Sequence, residues 1–195
     1  DITFAKIDHH REIRCGFPEV IFCQDKTAEQ ISLIAKRIIQ NGSNLLATRS
    51  SFEKFEEVKK IIPEAEYNET ARTITYKNAE MKKLPGKVLI VTAGTSDIPI
   101  AAETLVTGEM LGLDVKMISD VGVAGIHRVM DYRNELNSAA IIIVLAGMEG
   151  ALASVIAGLV QAPVIAVPTS VGYGTSFNGL TPLLGMLNSC VPGVA

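Results

Sequence analysis

The rhythm of hydrophobic positions changes once along this chain, close to residue 85. Before that point short apolar runs alternate with amphipathic stretches among many charges. Val20-Ile21-Phe22-Cys23 predicts a short strand. Ile31, Ile34, Ala35, Ile38 and Ile39 then recur at helical spacing behind Thr27, a good capping residue, and the repeat stops at Asn41-Gly42, a good terminator. Leu45-Leu46-Ala47-Thr48 predicts a second strand. A helix capped by Ser50 or Ser51 runs through Phe55, Val58 and Ile62 and stops before Pro63, and Thr73-Ile74-Thr75-Tyr76 predicts a further strand. The expected unit is a small α/β module over residues 1–84.

Pro85-Gly86 punctuates the chain, and the apolar runs that follow are continuous rather than alternating. Continuous runs mark strands buried on both faces of a parallel sheet. Strands are expected at 88–92, 115–118, 140–145 and 164–167, with helices starting near Ile98, Ile126, Gly150 and Thr181. The repeated order predicts a three-layer, doubly wound parallel sheet over residues 85–195, with right-handed crossovers. In such sheets ligands bind outside the carboxyl ends of the strands, so the loops after the four runs should build the site.

A chain of 195 residues with 48% apolar side chains can bury a core without staples. Its net charge of −3 leaves no basic excess for a nucleic-acid surface, which points to small-molecule partners. Three cysteines at irregular spacing, with neither an apolar leader nor a long spanning run, predict free thiols in a reducing, cytoplasmic setting away from membranes. Because the sequence starts at Asp1 and stops at Val194-Ala195 without a closing element, further residues are expected at both ends. Cys15 and Cys23 read as buried small hydrophobes, and Asp8-His9-His10-Arg11 as a solvated charged stretch rather than a metal cluster.

The first expected loop, Ala93-Gly94-Thr95-Ser96-Asp97, offers free amides at a helix start, hydroxyl donors on Thr95 and Ser96, and a cap at Ser96 or Asp97. Simple capping explains it as well as phosphate or carboxylate binding does. Asp97 is open to three roles: cap, ribose-hydroxyl acceptor, or general acid/base. The second loop, residues 119–128, is rich in small residues that let a ligand approach the backbone, and it ends in His127-Arg128. Histidine suits proton transfer near neutrality and arginine grips anions, so the pair reads as acid/base and anion binder, against a plain surface helix start.

The third loop, Ala146-Gly147-Met148-Glu149-Gly150, presents a carboxylate at a helix N-terminus. It either satisfies the helix dipole or helps to hold magnesium, which takes one or two protein carboxylates when bound to phosphates. The fourth loop, residues 168–176, carries Ser170, Gly172, Tyr173 and Gly174 and can close over a ligand. Cys190 follows the last amphipathic helix among polar residues, where a thiolate can meet a ligand.

Together these loops resemble the PurE superfamily of carboxyaminoimidazole ribonucleotide mutases, through Gly94-Thr95-Ser96-Asp97, His127-Arg128, and Ala146-Gly147 followed by Pro163-Val164-Ile165-Ala166-Val167-Pro168. The closer resemblance is to the LarB family, through Gly16-Phe17-Pro18-Glu19-Val20, residues 120–128, Glu149-Gly150, Ser170-Val171-Gly172-Tyr173-Gly174 and Asn188-Ser189-Cys190. It covers nearly the whole chain. The purine mutases lack the amino-terminal module and the cysteine.

The resemblance implies carboxylation of the pyridinium ring of nicotinate adenine dinucleotide by CO2 or bicarbonate, with NAD as an analogue. It also implies hydrolysis of the phosphoanhydride to release AMP, on the route to the nickel-pincer nucleotide cofactor. Cys190 would be the transient nucleophile, and His127 or Asp97 the ring-proton base. Glu149 would be the Mg2+ ligand. Gly94, Thr95, Ser96, Asp120, Gly122, Ala124, Gly125, Arg128, Ala146, Gly147, Met148, Ser170, Gly172, Tyr173 and Gly174 would form the substrate cradle. It further implies a homo-octamer with sites at subunit interfaces, which Gly and Ala in the helices permit. In that family the chain runs well beyond the cysteine, whereas this sequence ends at Ala195. Two rivals remain: a purine-pathway mutase that needs no thiol, and a non-catalytic nucleotide sensor that releases no AMP.

Overall fold

The computed structural model describes residues 5–8 and 10–195, so His9 of the charged amino-terminal stretch lies outside the described residues. The chain divides into two compact units, Asp1–Lys82 with Met110–Gly112, and Lys83–Glu109 with Leu113–Ala195. No helix among the described residues is long and apolar enough to cross a membrane.

The first unit holds α1 (Arg11–Cys15), β1 (Ile21–Phe22), α2 (Ala28–Gln40), β2 (Leu45–Thr48), α3 (Phe52–Ile61), β3 (Glu66–Asn68) and β4 (Thr73–Tyr76). Its sheet runs β1-β2-β4-β3, parallel at the first pair and antiparallel at the other two. Helix α2 starts where its cap chemistry dictates. The Gln30 N–H donates to the Thr27 hydroxyl at 3.2 Å, and the Thr27 N–H donates to the Gln30 side-chain oxygen at 3.0 Å, a reciprocal capping box. Its apolar stripe of Ile31, Ile34, Ala35 and Ile38 packs with Phe55 and Val58 of α3 and with Leu45, Ala47 and Ile74 of the sheet. Cys23 belongs to this core, and burial pushes its thiol up to about 11, with Lys54 opposing. Cys15 does not: it ends α1, which buries none of its residues, and is exposed, correcting its reading as a buried hydrophobe.

The second unit is the expected three-layer sheet. Strands β5 (Lys87–Thr92), β6 (Asp114–Ile118), β7 (Ile141–Ala146) and β8 (Val164–Pro168) are all parallel, in the order β6-β5-β7-β8. Alternation along the central strands sends Leu89, Val91, Ile142 and Val144 to one face and Ile90 and Leu145 to the other. Helix α4 (Ile98–Met110) covers the second face through Ile100, Ala101 and Leu105. The first face is covered by α5 (Ile126–Met130), α6 (Arg133–Ser138), α7 (Ala151–Ala157) and α8 (Leu180–Leu187), through Val129, Leu136, Leu152, Ile156 and Met186.

Not every strand is buried on both faces, however. β6 alternates between exposed and half-buried positions over Asp114, Val115, Lys116 and Met117, as suits an outer strand, and Ile165 of β8 is 43% exposed. At the last residues Val194 pairs in parallel with Val164, and the Ala166 N–H donates to the Ala195 carbonyl at 2.8 Å. The connection from β5 leads to β6 on one side while that from β7 leads to β8 on the other. The crevice between the carboxyl ends of β5 and β7 is therefore the switch point at which such sheets take their ligands.

Candidate functional site

The first loop leaves β5 through Ala93, whose N–H donates to the Leu145 carbonyl at 3.0 Å, and then turns in a single 3-10 turn, Thr95–Asp97, ahead of α4. Asp97 is only 2% exposed. One of its oxygens accepts the Gly94 N–H at 3.1 Å, and the other accepts the Thr169 hydroxyl at 2.7 Å. It therefore caps backwards onto its own loop and ties that loop to the fourth one, with both oxygens engaged. Thr95 and Ser96 stay exposed.

In the second loop Asp120 adopts a left-handed backbone, φ 60°, which Asp tolerates better than most residues. Its N–H donates to the hydroxyl of buried Thr92 at 3.1 Å, and the Val121 N–H donates to the Thr92 carbonyl at 3.1 Å. Gly122 is there because the chain passes so near the first loop that a Cβ would lie 2.6 Å from the Ala93 carbonyl oxygen. Gly122 through Gly125 bring Ala124 to the surface, and α5 then presents His127 exposed and Arg128 half-buried. The Arg128 guanidinium donates to the Asp120 carboxylate at 2.9 Å, while its Nε is buried with no acceptor. Arg128 thus holds an internal anion and keeps one unspent donor.

The third and fourth loops touch through backbone. The Met148 N–H donates to the Val171 carbonyl at 2.9 Å, and a Cβ on Gly147 would lie 2.0 Å from that carbonyl oxygen. Met148 itself has φ 51° and is exposed, as is Glu149, and Gly150 at φ 72° turns the chain into α7. In the fourth loop the Thr169 N–H donates to the Ala146 carbonyl at 3.0 Å. Ser170, Gly172, Tyr173 and Gly174 lie exposed along the rim, whereas Ser176 is buried with an unpartnered hydroxyl. Gly172 permits that burial, since its Cβ would meet the Ser176 oxygen at 2.3 Å.

Cys190 is exposed just past α8, and among the described residues no hydrogen bond links it to His127, Asp97 or Glu149. The structure thus joins Gly94, Asp97, Asp120, Gly122, Arg128, Ala146, Gly147 and Met148 into one network at the strand ends. It leaves His127, Glu149, Tyr173 and Cys190 as exposed groups of the same unit. Sequence reasoning missed Thr92 and Thr169, whose hydroxyls tie the loops down and whose signal was a hydroxyl at or just after a strand end, and it missed Ser176, buried in the fourth loop with its hydroxyl unpartnered. No cluster of three or more His, Cys, Asp or Glu side chains suited to a metal occurs among the described residues.

Residues 1–79 match the family described as LarB/PurE-like N-terminal domain, and residues 87–195 match the family described as AIR carboxylase. A protein of Methanocaldococcus jannaschii, described as uncharacterized protein MJ0165, is 42% identical over 204 residues, covering 97% of this chain and 76% of that protein. Among solved structures, the crystal structure of a single-substitution variant of Treponema denticola PurE2 matches with a TM-score of 0.42 and 21% identity, over 56% of this chain and 70% of that one.

Proposed function

The chain belongs to the AIR carboxylase family and carries the LarB/PurE-like amino-terminal domain ahead of it, and on that premise we propose a substrate and a reaction for this carboxylase-type enzyme. It carboxylates the pyridinium ring of nicotinate adenine dinucleotide with CO2 and hydrolyses the phosphoanhydride. The products are AMP and pyridinium-3,5-biscarboxylate mononucleotide, for nickel-pincer cofactor synthesis. The observation that carries this reading is the combination of that amino-terminal domain with an exposed thiol, Cys190, at the end of α8.

An electron-poor pyridinium does not attack CO2. Addition of the Cys190 thiolate forms a C–S bond and turns the ring into an enamine, whose carbon forms a C–C bond with CO2. That carbon now bears both its hydrogen and the new carboxylate. A base removes the proton, the C–H electrons rebuild the ring double bond, and the C–S bond breaks as thiolate leaves. His127, exposed at the start of α5, is the better-supported base, because Asp97 is buried with both oxygens engaged by Gly94 and Thr169. Asp97 then acts by holding the loops.

The exposed carboxylate of Glu149 fits magnesium in the mode where substrate phosphates and water complete the coordination. Bound there, the ion supplies polarisation of the phosphoanhydride. The exposed Thr95 and Ser96 of the first loop carry the donors suited to the phosphates, with the unpartnered but buried Nε of Arg128 and hydroxyl of Ser176 behind the loops. The same reading makes the protein a homo-octamer with interface-built sites.

The test is intact-protein mass spectrometry after incubation with NAD, comparing wild type with Cys190→Ala. An adduct of ligand mass on wild type alone is expected; none on either, with magnesium and bicarbonate present and the protein at its natural length, removes the Cys190 mechanism. The AIR carboxylase match over residues 87–195 favours one rival, a purine-type ribonucleotide mutase. That enzyme would turn over carboxyaminoimidazole ribonucleotide with Cys190 replaced.

A further inference from the structure

Cys190 sits in the middle of a small turn that is closed by a side chain. The Ser189 N–H donates to the Met186 carbonyl at 3.2 Å, which anchors the residue to the last turn of α8. The Ser189 hydroxyl oxygen accepts the Val191 N–H at 3.3 Å, reaching two residues forward over Cys190. Such a serine turn is weak alone, because a hydroxyl-bearing side chain has three rotamers to choose from. Here the rotamer is fixed from outside: the Ser189 oxygen lies 2.8 Å from the hydroxyl oxygen of Ser154 on α7. Both bonds can be made at once, since a hydroxyl that accepts from an N–H still has its own hydrogen to give.

Beyond the turn, Val191 packs against the core of this unit and Val194 pairs with Val164 of β8. The backbone is therefore held on both sides of Cys190 while the thiol itself is exposed. The helix that provides the outer anchor is not arbitrary. α7 begins directly after Glu149 and Gly150, so the Ser154–Ser189 pair links the thiol's turn to the element that starts at the third loop.

We infer that Ser154 is a positioning residue for the Cys190 nucleophile, acting through the Ser189 hydroxyl. The inference rests on the proposed thiolate chemistry. Thiolate addition requires the sulfur at about 3–3.5 Å from the ring carbon with its lone pair aligned, and a turn free to choose among rotamers spends less time there. Ser154 touches neither substrate nor sulfur in this scheme. Its effect falls on the fraction of bound complexes that react, not on binding.

The experiment uses the full protein in a Cys15→Ser background, which leaves Cys190 as its exposed cysteine, since Cys23 is buried. Ser154→Ala and Ser189→Ala are compared with Ser154→Thr and Cys190→Ala, using nicotinate adenine dinucleotide, bicarbonate and magnesium. Ser154→Ala is expected to lower kcat about tenfold, equivalent to about 1.4 kcal/mol, with KM within about twofold. The yield of covalent adduct should fall alongside kcat, and Ser154→Thr should restore both. Alkylation of Cys190 by iodoacetamide should stay within about twofold, because a small reagent needs no oriented partner.

Unchanged kcat and adduct yield in Ser154→Ala and Ser189→Ala, with Cys190→Ala inactive, would overturn the positioning role and leave the nucleophile standing. A raised KM at constant kcat would overturn it too. Turnover by Cys190→Ala would instead overturn the underlying reading.

Discussion

Asp97 shows how much one carboxylate can decide. Its two oxygens serve the Gly94 N–H and the Thr169 hydroxyl, so removing it orphans a donor in each of two loops. Asp97→Ala should cost about 2 kcal/mol in urea denaturation, the usual range for partners left unsatisfied inside a protein. Asp97→Asn should cost about 1 kcal/mol or less, because the Thr169 hydroxyl can turn round and accept from the new amide. Turnover separates the roles: a stable Asp97→Asn protein with no activity at all would make Asp97 the base and not a strut. The sequence marked Asp97 and Arg128 by type and place but left their roles open, since those depend on Thr169 and Asp120, 72 and 8 residues away in the chain. Cys15 was misread for the opposite reason: cysteine is usually buried, and nothing around it in sequence says that α1 buries nothing.

At the scale of elements, the site is a matter of how near two loops can come. Gly147→Ala would drive a methyl to 2.0 Å from the Val171 carbonyl oxygen, backbone against backbone, with no flexible side chain to yield. A loss of about 2–3 kcal/mol in urea denaturation is expected, with NAD binding by calorimetry weakened at least tenfold as the third and fourth loops part. Gly158→Ala is the control: it has negative φ and meets nothing nearer than 3.5 Å, so it should be close to neutral. The elements legible in the sequence were those with an apolar pattern: the periodic α2 and α3, the short apolar runs of β1, β2 and β4, and the continuous runs of the four parallel strands with helices starting after them. Those that escaped are β3, α1 and α6, which bury at most one residue each and so leave no pattern to read. Loop contacts are invisible in principle to periodicity, although the glycines that permit them could be counted.

For the whole molecule, the apolar fraction of the sequence predicted a core but not how much of it would remain outside. Leu180, Leu183, Leu184 and Leu187 of α8 are exposed, the last at 75%, and Tyr173 and Phe177 just before the helix are exposed at 82% and 68%. A face of this kind is where soluble chains meet one another. Leu184→Asp with Leu187→Asp should move the protein in gel filtration from the proposed octamer to smaller species without lowering its melting temperature by more than a few degrees. An unshifted elution volume would place the subunit contacts elsewhere.

The pairing of Val194 with Val164 bears on what kind of assembly is open to such a chain. A parallel sheet invites fibrils wherever an outer strand offers a free row of amides and carbonyls. Along β8 that row is already engaged by the chain's own residues Gly193 and Ala195, and on β6 the exposed positions are Asp114 and Lys116, charges that discourage an incoming strand. Both outer strands thus carry features that oppose strand addition. Association by side-chain surfaces then becomes the alternative to strand addition, and whether it closes into a ring depends on the rotation that relates neighbouring copies.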